Sequence, residues 1–284
     1  MMRSPFKWVG GKSRLRKTII AMLPPHECYV EVFAGAAWVL FGKEPSKVEV
    51  LNDIDGEVIN FFRVVKERPE ELITSFEWDL ASREEFERLR DLDSDLLDPV
   101  HRAHRFYYLV MAGWGGELHS PRFQTSITDK GHGNRLIGAL RGLRERIMPV
   151  YSRLQTVIIE HLDWRECIDR YDKEPTAMFL DPPYPGNSCN YRFNLREWHD
   201  HQEIATRMRK TRAKCLLTTY DRPELRELFA EFYITPVHFP SGMSGQHGRR
   251  NHEIIVTTYD PGSVQAPPSG SKTLGTYSHN RPLN

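Results

Sequence analysis

Tyr29-Val-Glu-Val-Phe33-Ala-Gly35-Ala-Ala-Trp-Val-Leu-Phe41, followed by Lys47-Val-Glu-Val-Leu-Asn-Asp53, decides the fold. Tyr29 to Phe33 has the length and β-branched content of a short buried strand. Gly35 allows a tight turn, and the apolar run after it predicts a helix. Lys47 to Asp53 alternates apolar and polar positions and ends on acids, as a second strand does. Strand, glycine turn, helix and strand make a βαβ unit, the opening of a doubly wound parallel sheet. Downstream, Thr156-Val-Ile-Ile-Glu160, Ala177-Met-Phe-Leu-Asp181, Cys215-Leu-Leu-Thr-Thr-Tyr220 and Glu253-Ile-Ile-Val-Thr-Thr-Tyr259 read as further strands, with a helical segment from Pro223 to Phe232. The stretch after Asp55 is helical in pattern for roughly ninety residues, broken at Pro69, Pro99 and Pro121. The organisation expected is an α/β sheet domain over residues 1–56 and 151–260, a helical insertion over 57–150, and a disordered Pro/Gly/Ser tail over 261–284.

Composition sets the outer limits. With 39% hydrophobic and 27% charged residues in 284, the chain is that of a globular protein. No apolar run approaches the ~20 residues of a membrane helix. The start lacks a secretory apolar region, and Cys28, Cys167, Cys189 and Cys215 show no metal-ligand spacing. A reduced cytoplasmic protein without membrane or metal is expected. The net charge of +1 conceals an asymmetry. Residues 67–98 hold twelve acids against four bases, whereas residues 100–153 hold nine bases against three acids. Such a distribution permits a polyanionic partner without requiring one.

Three short stretches carry chemistry. Asp181-Pro-Pro-Tyr184 directly follows an apolar strand, at the sheet edge where open α/β folds bind ligands. Two prolines stiffen that loop and leave its carbonyls free to accept. A carboxylate and a carbonyl that accept both hydrogens of a planar amine would localise the amine's lone pair, and Tyr184 would offer a flat face to the ring bearing it. Gly35 at the first strand exit lets backbone approach a ligand, and Asp53 at the second is placed for ribose hydroxyls. Phe6-Lys-Trp8-Val-Gly-Gly-Lys12 lacks the first glycine of a phosphate-binding P-loop, so Trp8 and Lys12 suit the ring and carboxylate of an amino-acid-bearing nucleoside instead. Glu160-His-Leu-Asp163 also follows a strand, where Asp163 is either a helix cap or a ligand contact. Phe106, Tyr107 and Leu109 read as core.

Lys7-Trp-Val-Gly-Gly-Lys12, Glu31-Val-Phe-Ala-Gly35, Leu51-Asn-Asp53-Ile54 and Asp181-Pro-Pro-Tyr184, in that order over about residues 5–260, resemble the D12 class (Dam-type, α-group) of DNA adenine-N6 methyltransferases. The resemblance implies a Rossmann-like S-adenosylmethionine-dependent sheet with a helical target-recognition insertion. It implies methyl transfer to adenine N6 in duplex DNA, with the base rotated out of the helix. Trp8, Lys12, Phe33, Gly35, Asp53, Ile54, Asp163 and Asp181 would contact S-adenosylmethionine, and Asp181, Pro182, Pro183 and Tyr184 would hold the adenine. Arg122, Lys130 and Arg135 in the insertion, with Arg249 and Arg250 in a glycine-rich loop, are the DNA-contact candidates. A bacterial or phage enzyme, acting as a monomer in the cytoplasm and paired with a restriction endonuclease, fits the same resemblance. Ala37 departs from it, standing where family members often carry a second glycine. Two other readings stay open: an RNA or protein-amide N-methyltransferase, and a catalytically inactive DNA-binding module.

Overall fold

The computed structural model describes residues 2–8, 10–113, 121–123, 135–186, 195, 197–240 and 250–264, with backbone alone at 135, 240, 250 and 251. Its seven strands are β1 (Cys28–Glu31), β2 (Val48–Asn52), β3 (Val157–Glu160), β4 (Thr176–Leu180), β5 (Lys214–Tyr220), β6 (Tyr233–Pro240) and β7 (Arg250–Thr257). They form one sheet in the order β3-β2-β1-β4-β5-β7-β6. β1 to β5 run parallel, and β7 is antiparallel to both β5 and β6. The chain therefore winds outward from β1 in both directions, and the reversal lies between β1 and β4. At such a switch point the loops leaving the carboxyl ends diverge and open a crevice.

Alternating burial assigns each face its own core. Tyr29, Leu51, Ala177, Phe179, Leu216 and Ile255 face a layer built from α1 (Arg16–Met22), α2 (Gly56–Glu67), α3 (Pro69–Ser75), α4 (Arg83–Asp91), α5 (Pro99–Ala112), α6 (Arg135–Arg141) and α7 (Leu143–Leu154). Val30, Val50, Met178, Leu180, Leu217 and Val256 face α8 (Trp164–Tyr171), α9 (Trp198–Lys210) and α10 (Pro223–Leu228). Proline opens α3 and α5 at the first helical turn, where its missing N–H costs nothing. Phe106, Tyr107 and Leu109 on α5 are fully buried, as expected of them. The apolar side chains of α2 to α7 are continuous with one sheet face and form no separate core.

Three expectations need correction. No regular helix follows Gly35: residues 35–43 form consecutive turns, because Gly35 (φ +46°) and Ala37 (φ 50°) both lie in the left-handed region. β6 lies beyond the expected helical segment and was hidden by Pro236 and Pro240. It is the edge strand, which tolerates proline because one side of its backbone needs no partner. At the carboxyl end, Pro261–Ser263 is a 3₁₀ turn capped by Asp260, so the expected tail begins too early; residues 265–284 lie outside the described ones.

Candidate active site

Strand register brings the predicted residues to one edge. Glu31 aligns with Leu51 on one side and Phe179 on the other. Asp53 and Asp181 each follow those partners by two residues, so they emerge at one level on either side of β1. Two strand spacings separate their chains, about 10 Å. Asn52 binds the neighbouring exits together: its Nδ2 donates to the Val32 carbonyl at 3.0 Å, and its Oδ1 accepts from Leu162 N at 2.9 Å.

The β1 and β2 exits form the first half of the site. Asp53 Oδ2 accepts from Gly35 N at 2.8 Å, and Oδ1 accepts from Asp55 N at 2.9 Å. These bonds shape the turn and leave further lone pairs on each oxygen. Trp8 covers Gly35 so closely that an added Cβ would stand 2.8 Å from its Cδ1. The amino-terminal segment is anchored by buried Phe6, whose ring meets Phe61 and Phe106 edge-on at 5.2 and 5.1 Å. Phe33 packs toward Trp164, and Ile54 is exposed nearby in sequence to Asp53. Asp163 caps α8 by accepting from Arg165 N at 2.9 Å, so the capping role is realised.

The second half surrounds Asp181, where Lys12 Nζ lies 2.8 Å from Oδ1 and also donates to the Gly10 carbonyl at 2.8 Å. Thr218 Oγ1 donates to the same Asp181 oxygen at 2.7 Å. Tyr184 is buried rather than rim-exposed: its hydroxyl donates to Glu253 Oε2 at 2.9 Å, and the Tyr220 ring meets it edge-on at 4.6 Å. The Lys12 ammonium stands 4.9 Å from the Tyr184 ring centroid and 3.9 Å from Glu253. Thr218, Tyr220 and Glu253 were not singled out from sequence. The first two close the predicted strand ending at Tyr220, and Glu253 opens the last one, so strand-end position was the available signal.

Glu31, Asp53, Asp181 and Glu253 lie at this edge with the Lys12 ammonium among them. Burial pushes the Glu31 carboxyl up to about 8, even though it accepts from Leu40 N at 2.9 Å. Burial also pushes Asp53 up to about 6. Glu253 is raised by burial, with Lys12 acting against the shift. Burial pulls the Lys12 ammonium down, but Asp181 and Glu253 outweigh that and hold it above its ordinary value. The Tyr184 phenol, buried beside both carboxylates, is raised well above its usual range and stays protonated. Such an acid excess suits a cationic ligand, whose charge would relieve the carboxylates' desolvation.

The DNA-contact candidates are less gathered. Arg122 is exposed, on the short described segment 121–123 whose Phe123 forms an isolated antiparallel bridge with Gly113. Arg135 and Arg250 begin α6 and β7. Lys130, Arg249 and Cys189 lie outside the described residues. Among the described residues no group of three or more His, Cys, Asp or Glu is placed to hold a metal ion, and no helix is long and apolar enough to cross a membrane.

The chain is similar to the DNA adenine methylase of Salmonella typhimurium, 26% identical over 277 residues, covering 92% of this chain and 96% of that protein. It is 25% identical over 278 residues to the DNA adenine methylase of Escherichia coli K12, covering 92% and 97%. It is also 26% identical over 275 residues to the type II methyltransferase M1.LlaDCHI of Lactococcus lactis subsp. cremoris, covering 90% and 95%. The model of the D12 class N6 adenine-specific DNA methyltransferases matches residues 8–239, and the chain belongs to that family.

Proposed function

We propose that this DNA adenine-N6 methyltransferase holds its target adenine at Asp181–Tyr184, with S-adenosylmethionine on the Gly35–Asp53 side of the same crevice. The observation that carries the reading is the emergence of Asp53 and Asp181 at one level on either side of β1. When bound, S-adenosylmethionine supplies an electrophilic methyl group on a sulfonium. Asp53 would accept from its ribose hydroxyls, Trp8, Phe33, Ile54 and Asp163 would line its ring, and the neighbouring carboxylates would favour its positive charge.

The acceptor amine needs both hydrogens engaged. Asp181 and the Pro182 carbonyl would accept them, so that charge building on nitrogen meets a preorganised carboxylate. Lys12 and Thr218 already donate to Asp181 Oδ1, so they orient that carboxylate and occupy one of its oxygens. Lys12 would yield part of this contact as the amine arrives, and its reach toward Glu253 gives it somewhere to go. Because an adenine inside a duplex cannot reach a recessed loop, the base would be rotated out first. Arg122, Lys130, Arg135, Arg249 and Arg250 would contact the duplex, and a restriction endonuclease reading the same site is the partner suggested by the type II name of the Lactococcus relative.

Asp181→Ala tests the reading. It should keep the circular-dichroism spectrum of the folded chain and abolish methylation of host DNA, scored by modified-base sequencing. Methylation at the normal rate would sink the assignment. The RNA and protein-amide alternatives lose their ground with the family assignment.

A further inference from the structure

Arg222 sits just beyond β5, half-buried, and pairs with no carboxylate among the described residues; Asp221 beside it is taken by Arg226 at 2.5 Å. The described contacts of its guanidinium are a long hydrogen bond from Nη1 to the Pro185 carbonyl at 3.4 Å and its seat over the Tyr220 ring, 4.9 Å from the centroid. A guanidinium has five N–H donors in a planar fork, so most of its capacity is unspent among the described residues. Gly186, with φ +67°, brings backbone close: a Cβ there would stand 3.2 Å from Nη1. The Tyr220 that carries Arg222 is the same ring that meets Tyr184 edge-on at 4.6 Å.

The cation is thus fastened to the outer rim of the Asp181–Tyr184 loop. The sheet order puts β5 two strands from β1, which is the acceptor side and not the Gly35–Asp53 side. The same margin continues into β7 and β6, where exposed His238 and His252 face each other across the strand pair. The planar fork of a guanidinium at this margin matches the oxygens of a phosphodiester.

We infer that Arg222 is a positioning residue that grips a backbone phosphate flanking the target adenine and retains the nucleotide once it has left the duplex. This rests on the acceptor-loop reading above. The probe is a short duplex of the chain's own target sequence, read from modified-base sequencing of DNA from an expressing host. Single methylphosphonates, which remove one phosphate charge, replace the flanking linkages in turn.

With the wild-type chain, one such replacement should lower kcat/KM about tenfold, the scale of a charge-assisted hydrogen bond. Arg222→Gln should lose a similar factor on the ordinary duplex and nothing further from that methylphosphonate, while Arg222→Lys should recover part of the loss. With 2-aminopurine at the target position, fluorescence should rise on binding to the wild type and rise less with Arg222→Gln. An equal methylphosphonate penalty in wild type and Arg222→Gln overturns the proposal, as does no penalty at any flanking linkage. Loss of activity in Arg222→Gln accompanied by a lower Tm and weaker S-adenosylmethionine binding assigns the residue to loop structure and overturns it too. If Asp181→Ala methylates normally, the acceptor-loop reading fails. If Asp181→Ala is inactive while Arg222→Gln keeps the full phosphate penalty, only the grip fails.

Discussion

Replacing Gly35 by alanine puts two separate penalties on one methyl group. The backbone there has φ +46°, a conformation that costs an L-residue about 1–2 kcal/mol. The new Cβ would also stand 2.8 Å from Trp8 Cδ1 and 2.9 Å from its Nε1. That indole cannot swing away freely, since Phe6 and Phe106 flank it at 5.9 and 6.0 Å. Overpacking of this kind costs about 1–3 kcal/mol. With a fraction of a kcal/mol returned by the stiffer unfolded chain, Gly35→Ala should destabilise by about 2–4 kcal/mol. Urea denaturation with an unchanged m-value measures it, and calorimetry should show S-adenosylmethionine binding weakened as Trp8 and the Gly35–Asp53 bond shift. In a Trp8→Ala background the collision is gone, and the same substitution should cost only about 1–2 kcal/mol. Equal costs in the two backgrounds would refute the steric half of the reasoning. Ala37 supplies the contrast: at φ 50° and fully buried, Ala37→Gly trades relief of about 1–2 kcal/mol against one lost buried methyl worth about 1 kcal/mol, and should be nearly neutral.

Glu31 is held at about 8 by burial, so the folded state keeps a proton that the unfolded chain has released. Stability should therefore fall as pH rises from about 4.5 toward 8, and Glu31→Gln should flatten that slope in urea titrations; a steeper slope would contradict it. Asp53, raised to about 6, would bind a sulfonium and ribose hydroxyls best when ionised. S-adenosylmethionine affinity should drop as pH falls through about 6, and Asp53→Asn should bind weakly with no such step; a step that persists in this variant would assign it elsewhere. Glu49 lies fully buried between Lys43, 2.6 Å away, and Arg153. Glu49→Ala should cost about 3–5 kcal/mol by leaving buried cations unpaired. Removing the exposed Lys47–Glu27 pair should cost less than about 1 kcal/mol, and equal losses in thermal unfolding would refute the distinction.

Much of this was legible in the sequence because the site residues end apolar strands. Gly35, Asp53 and Asp181 each follow a run that could only be a buried strand, and a parallel sheet delivers such positions to one edge. What escaped was set by distance along the chain. Thr218 meets Asp181 only once β5 has paired with β4, and Glu253 meets Tyr184 only once β7 has paired with β5. The turns after Gly35 escaped because Ala37 adopts a left-handed backbone that alanine rarely takes, so its identity points to a helix that is absent. α9 hides its amphipathic face behind modest residues, burying His201, Ile204, Ala205 and Met208. β6 carries two prolines, which an edge position permits.

The bridge between Gly113 and Phe123 has a consequence for engineering. Phe123 is pinned there by the Phe86 ring at 5.4 Å and by the Arg83 guanidinium over its face. The helices on its near side share their core with the sheet, so a chimera cut at residues 57 and 150 would tear that core open. A chimera between relatives should keep Gly113, Phe123 and α6 as its frame.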